Sequence, residues 1–295
     1  MSEESSGLGE AEELGRQSPE GQAGVACILI DKLGTLKKGM LNFAKYGSTE
    51  IFSHLWIDTI TTCNRRCRYC PNSTYDRGQK KNEKVLKTQL FHKVIDELSG
   101  LGWSGEVAPN FYGEPLLDKR IVELIAYTRT KLPLSSIILF TNGDLLDMDL
   151  YKQLTRAGVT NLVVTHHGTG RQANIETILE HRNHHGDDGI RMVYGTAREI
   201  ARGRMSNRGG LVDLGRGERL VAKGCELPYR KTGIDCDGNV LLCCHDYLSS
   251  EKLGNVNEHG LLEIWNSKRY RDLRRDIRKG QYTLEFCKNC AYTTN

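Results

Sequence analysis

No stretch of the 295-residue chain approaches the ~18–20 consecutive apolar residues of a membrane span. The apolar run nearest the start, Val25 to Ile30, is far too short. The N-terminus is acidic, so it lacks the basic opening of a secretory signal. One-sided charge is lacking too: 41 basic residues face 37 acidic ones, for a net charge of +4. Nucleic-acid binders usually concentrate basic charge on one face. The densest basic run here, Lys268 to Lys279, is interrupted by Asp272 and Asp276 and reads as the exposed face of a helix. These absences argue against a membrane or nucleic-acid partner and for a cytoplasmic location. With 38% hydrophobic residues, the chain can still bury a core.

What the chain has is cysteine, ten in all. Without a secretory signal they are expected to stay reduced, which favours metal binding or catalysis over disulfides.

Residues 1–24, rich in Ser, Gly, Glu and Gln, read as disordered. Residues 25–50 read as a short strand and a basic linker. From residue 51 strands and helices alternate. Strands are expected at Ile51–Ile57, Val107–Tyr112, Ser136–Phe140, Asn161–Thr165 and Ile190–Tyr194. Helices are expected at Val85–Leu98, Lys119–Lys131, Asp147–Ala157 and Ala173–Arg182. That order predicts an α/β fold, a parallel sheet or partial (β/α) barrel with its chemistry at the carboxyl ends of the strands. Past residue 215 the pattern becomes a hairpin around Asp237-Gly238-Asn239, then one helix over Leu261–Ile277 with Leu262, Ile264, Trp265 and Leu273 buried. The domain reading is 51–215 for the barrel and 216–295 for a smaller C-terminal domain.

Cys63, Cys67 and Cys70 follow the first expected strand in Cys-x3-Cys-x2-Cys spacing. Structural zinc takes four ligands, usually as two close pairs. Three thiolates can instead hold a [4Fe–4S] cluster and leave one iron open. Zinc, or plain surface thiols, are the alternatives. The spacing, with aromatic Tyr69 before the last cysteine, resembles the signature of radical SAM enzymes. In that family the open iron chelates S-adenosylmethionine (SAM), and one electron releases a 5′-deoxyadenosyl radical that takes hydrogen from the substrate. Tyr112-Gly113-Glu114-Pro115 is similar to the family's Gly-Gly-Glu-Pro segment, with Tyr112 in place of the first glycine. The resemblance implies that Gly113, Glu114 and Pro115 meet the methionine moiety. Thr141-Asn142-Gly143 resembles the turn that lies near the nucleoside. His166, at the end of the next strand beside Thr165, is a candidate cofactor or substrate contact. His181, His184 and His185 read as a surface patch.

Cys225, Cys236, Cys243, Cys244, Cys287 and Cys290 crowd the last quarter. The pattern, with Leu253-Gly254-Asn255-Val256 and Glu263-Ile264-Trp265, is similar to the Twitch/SPASM extension of radical SAM enzymes. There a hairpin and helix fold over an auxiliary [4Fe–4S] cluster. The resemblance implies Cys225, Cys243, Cys287 and Cys290 as ligands, with structural zinc the alternative. Only Ala291 to Asn295 follow, which favours the shorter, single-cluster Twitch form.

Cys27, Cys236 and Cys244 are left over. Side chains alternate along a strand, so Cys244 is expected to point away from Cys243 and towards the substrate. A thiol there can donate hydrogen to a carbon radical. The sequence therefore resembles Twitch members that invert a carbon of an aminosugar. It also resembles members that dehydrogenate an aminocyclitol, for which His166 and Asp246 are candidate bases. Epimerisation of an aminoglycoside or aminosugar is the leading expectation, dehydrogenation the alternative. A non-catalytic Fe–S or zinc interaction protein is the alternative of another class. A small polar substrate is expected, with an electron donor such as flavodoxin or ferredoxin. A cationic substrate would need carboxylates in the cavity.

Overall fold

The computed structural model describes residues 37, 39–168, 172–186, 188–200, 206–213 and 224–290. Cys27, the expected strand at 25–30 and the expected disorder of 1–24 lie outside them. Residues 39–46, read above as linker, are helical and belong to a separate compact unit that ends at Thr49. From Glu50 onward the chain forms a single compact unit, with no division at residue 215.

That unit is built on one eight-stranded sheet of order β5-β4-β3-β2-β1-β6-β7-β8. The strands are β1 His54–Ile57, β2 Glu106–Ala108, β3 Ser136–Thr141, β4 Asn161–His166, β5 Arg191–Thr196, β6 Lys231–Ile234, β7 Asn239–Leu241 and β8 Lys252–Asn255. Strands β1 to β5 pair in parallel, and β6 joins the outer edge of β1 in parallel as well, Trp56 opposite Gly233. Then β7 and β8 turn antiparallel.

Parallel neighbours need crossovers, and the expected helices supply them as Thr88–Gly100, Ile121–Lys131, Met148–Ala157 and Ala173–His185. Helix Met148–Ala157 starts where the Asp147 carboxylate accepts from the Leu150 amide, and it stops at left-handed Gly158. One apolar cluster packs Ile125, Leu139, Leu154, Val164 and Ile178 beneath β3 and β4. A second runs from Leu55, Phe91 and Val107 of the barrel to Val240, Trp265 and Tyr270 of the C-terminal part. The C-terminal region therefore shares a core with the barrel.

Two local expectations change. The helix expected over Leu261–Ile277 is broken into Leu261–Trp265 and Lys268–Arg278, because the Ser267 hydroxyl accepts from the Tyr270 amide and starts a new helix. Ile264 and Trp265 are buried as expected, whereas Leu262 and Leu273 are only partly buried. The basic run is not wholly a solvated face either. Arg274 is 3% exposed, its guanidinium 3.8 Å from the Trp265 ring centre. In addition, β8 runs over the Leu253-Gly254-Asn255 segment, where no strand was expected.

Among the described residues, no helix is long and apolar enough to cross a membrane.

Candidate active site

The carboxyl ends of the parallel strands surround a cavity of about 540 Å3. β1 leads into the first cysteine loop. Along that loop Cys63, Arg65, Cys67 and Tyr69 turn inward while Asn64, Arg66 and Arg68 stay exposed. The loop is closed by Cys63 N donating to Gly78 O (3.1 Å) and Cys70 N to Cys67 O (2.8 Å). All three cysteines line the cavity. Burial pushes the Cys63 thiol up to about 12 and raises Cys67 and Cys70 as well. Any metal centre bound there would have to displace these protons.

Glu114 follows β2 and is 3% exposed. Its carboxylate accepts from the Thr141 hydroxyl (2.6 Å), the Asn142 amide (2.9 Å) and the Leu116 amide (3.1 Å). Thr141 and Asn142 therefore act first as holders of Glu114, and burial raises the carboxyl pKa despite those donors. Gly113 is where no side chain fits, since a Cβ would lie 1.8 Å from the Ile60 carbonyl oxygen. Pro115 begins a short 3-10 turn and does not line the cavity. Asp144, which the sequence did not single out, grips the cysteine loop. It takes two bonds of 2.5 Å from Arg65 and one of 2.9 Å from Asn64.

His166 is turned out of the cavity, its ring 6.0 Å from that of Tyr194. Thr165 and His167 line the cavity instead. His166 was expected as a cofactor or substrate contact, but neighbouring residues at a strand end point to opposite sides, so Thr165 faces the cavity and His166 does not. His167 Nδ1 lies 3.4 Å from Cys67 Sγ and also meets the Tyr69 hydroxyl, with the two rings stacked. Asp246 is not a free base. Its carboxylate accepts from Ser250 N and Oγ and from Glu251 N, outside the cavity.

Opposite the cysteine loop, the C-terminal part contributes Ser206, Arg208, Leu227, Lys231, Cys244 and His245. Arg208 lies against the Tyr112 ring at 5.7 Å, and Lys231 lies over Trp56 at 4.8 Å. Among the described residues neither forms an ion pair, and Glu114 is the sole carboxylate of the wall. The carboxylates expected for a cationic substrate are thus absent from the described wall.

Residues 57–201, which include this loop and Glu114, match the family model of the Radical SAM superfamily. Residues 225–291 match that of the SPASM iron-sulfur cluster-binding domain. The chain belongs to the radical SAM superfamily. It is 28% identical to the S-adenosyl-L-methionine-dependent 2-deoxy-scyllo-inosamine dehydrogenase of Niallia circulans, across 82% of this chain and 93% of that protein. A crystal structure of BtrN in complex with AdoMet and 2-DOIA superimposes with a TM-score of 0.72, at 28% identity and the same coverage. A GTP 3′,8-cyclase of Klebsiella pneumoniae is 31% identical over 39% of this chain and 34% of its own length. Radical SAM and SPASM domains carry a SAM-binding and an auxiliary [4Fe–4S] cluster.

A second, smaller cavity gathers Cys225, Cys243, Cys287 and Cys290 with Leu227, Pro228, Ile277, Tyr282, Phe286 and His245. Four thiols around one void with apolar neighbours are the donor set of a fully ligated cluster. Burial raises Cys225 to about 11 and Cys287 to about 12, and Cys243 well above its ordinary value. Among the described residues no three His, Cys, Asp or Glu are gathered tightly enough to hold a single ion. β7 ends at Leu241, so Cys243 and Cys244 sit in the following turn. There Cys243 faces the small cavity and Cys244 the large one. Burial raises the Cys244 thiol, which keeps its S–H at neutral pH. Cys236 lines neither cavity and donates to the Asp58 carbonyl at 3.0 Å. His181 and His185 set their rings 4.1 Å apart and tilted on the last turn of their helix, away from both.

Proposed function

We propose that this radical SAM enzyme oxidises a secondary alcohol of an aminocyclitol or related aminosugar. In this reading Cys63, Cys67 and Cys70 hold the SAM-binding cluster, and Cys225, Cys243, Cys287 and Cys290 hold the auxiliary one. Glu114 accepts from the methionine ammonium, with Tyr69, Asn142 and Thr141 framing the rest of SAM. When bound, these groups would supply hydrogen-atom abstraction, started by one electron from a donor such as flavodoxin or ferredoxin, and an acceptor for the electron left on the substrate.

The protein's own contribution is orientation and charge. Arg208 and Lys231 meet the oxygen-bearing edge of the substrate and stabilise negative charge as the hydroxyl proton passes to water. The observation that carries the reading is that one cavity joins the three-cysteine loop and Glu114 to two cations, Arg208 and Lys231, that have no carboxylate partner among the described residues. The likeness to a dehydrogenase over nearly its whole length supports the same choice.

A second reading, inversion of a carbon centre, is favoured by the protonated Cys244 thiol in the same wall. Product mass in deuterated buffer separates the two. Reconstituted enzyme is mixed with SAM, a reductant and 2-deoxy-scyllo-inosamine or aminoglycosides. Oxidation predicts a carbon-bound product lighter by about two mass units, since two hydrogens leave. A gain of about one unit, from solvent-exchanged S–D, would replace oxidation with inversion.

A further inference from the structure

Tyr112 occupies the position at which the Gly-Gly-Glu-Pro segment has its first glycine, and the proposed function gives it no task. Its hydroxyl donates to the Cys244 carbonyl at 2.8 Å. Its own carbonyl accepts from the Asn72 amide group at 3.0 Å, and the Asn72 side-chain oxygen accepts from the Tyr247 hydroxyl at 2.7 Å. The Tyr112 and Tyr247 rings meet edge to face, 4.8 Å apart. Below them the Arg77 guanidinium lies against the Phe111 and Tyr247 rings, donates to the Tyr247 carbonyl and pairs with buried Asp58 at 2.6 Å. Three segments distant in sequence therefore meet at one tyrosine. They are the end of the cysteine loop, the segment that presents Glu114, and the turn that sends Cys243 to one cavity and Cys244 to the other.

The bond from Tyr112 is the one that reaches the Cys244 peptide group itself. We propose that Tyr112 is a positioning residue whose hydroxyl fixes the Cys243–His245 turn relative to Glu114, and so sets how the Cys244 thiol enters the substrate cavity. A glycine there has no atom with which to make this bond. The proposal rests on the assignment of Glu114 and the cysteine loop to SAM, and it holds whether the reaction is oxidation or inversion.

The test uses reconstituted holoenzyme with SAM, in which the cluster ligands are protected. Iodoacetamide alkylation of Cys244 and Cys236 is followed by peptide-resolved mass spectrometry in wild type, Tyr112→Phe and Tyr247→Phe. Loss of one hydrogen bond gives Tyr112→Phe a roughly five-fold faster reaction at Cys244. Cys236 is the internal reference and keeps its wild-type rate. Tyr247→Phe, which breaks the neighbouring bond to Asn72, leaves the Cys244 rate within about two-fold of wild type. An unchanged Cys244 rate in Tyr112→Phe overturns the proposal. So does an equal rise at Cys236, which would mean general loosening, or an equal rise in Tyr247→Phe. The cofactor assignment fails separately: wild-type holoenzyme that releases no 5′-deoxyadenosine from SAM under reduction would defeat it without bearing on Tyr112.

Discussion

The two cysteine-lined cavities differ in what surrounds the sulfur. The larger has the three thiols of the cysteine loop and a fourth, Cys244, across from them, with a carboxylate held by three donors, three cations (Arg65, Arg208 and Lys231) and several hydroxyl and amide groups on its wall. The smaller has four thiols set among apolar side chains, with His245 as the polar neighbour shared by both. A wall of mixed polarity suits a polar organic ligand beside a metal centre, because each polar group of the ligand finds a partner. An apolar wall saturated with thiols suits a centre that accepts no further ligand. The difference between an exchange site and a closed site is therefore written into the neighbours of the cysteines, since each cavity is lined by four of them.

The comparison breaks most sharply if the cysteines of the two cavities prove interchangeable. Cys67→Ala should abolish 5′-deoxyadenosine formation. Cys287→Ala should leave it detectable while substrate-derived product disappears. Chromatographic assay of both compounds, with iron content per chain, reads the outcome, and equal loss of 5′-deoxyadenosine in both variants would erase the distinction.

Next in size is the cationic wall. Arg208→Ala removes a guanidinium facing the substrate oxygen and should lower kcat/KM by roughly 10²-fold, most of it in kcat. Steady-state kinetics with the substrate identified by the mass experiment check this. A rise in KM alone would make Arg208 a binding group.

Glu114→Gln keeps the shape of the side chain and loses its charge. It should weaken SAM roughly 10- to 100-fold, the range for a hydrogen bond to a charged group. Because burial holds the Glu114 carboxyl above the usual carboxylate range, it ionises, and can accept from an ammonium, only above that raised value. SAM affinity should then fall as pH is lowered below neutral in wild type and stay flatter in Glu114→Gln. Calorimetric titration across pH shows whether the two curves differ.

The smallest effect sharpens the choice of reaction. Under oxidation, Cys244→Ser should change turnover by no more than a few-fold. Complete loss of product with continued 5′-deoxyadenosine release would assign the thiol a chemical role.

How much of this could be read from the residues follows from the range of each signal. The barrel was legible because strand and helix periodicities alternate over more than a hundred residues, and the helix ends carry local marks such as Asp147 and Gly158. The three-cysteine loop was legible because all its donors lie within one short stretch. His166 was misplaced because a shift of one residue at a strand end reverses the side-chain direction, and composition carries no register. Asp246 looked available in sequence, yet its carboxylate is consumed by Ser250 and Glu251 in its own turn. The break at Ser267 was missed because apolar spacing continues across it, although serine ahead of a helical stretch is a start signal that could have marked it. Arg208 and Lys231 carried no local signal. They are ordinary basic residues until the β1–β6 pairing brings the C-terminal segment over the strand ends.

That pairing sets a rule for anyone who would exchange modules in this scaffold. Because β6 continues the same sheet at β1, and the core under β1 is completed by Trp265 and Tyr270, the C-terminal segment cannot be treated as a detachable cap. A chimera joined near residue 224 inherits a working seam only if the incoming strand matches the outer edge of His54–Ile57 in the register that sets residue 233 opposite Trp56. Modularity in this architecture is constrained at a strand edge.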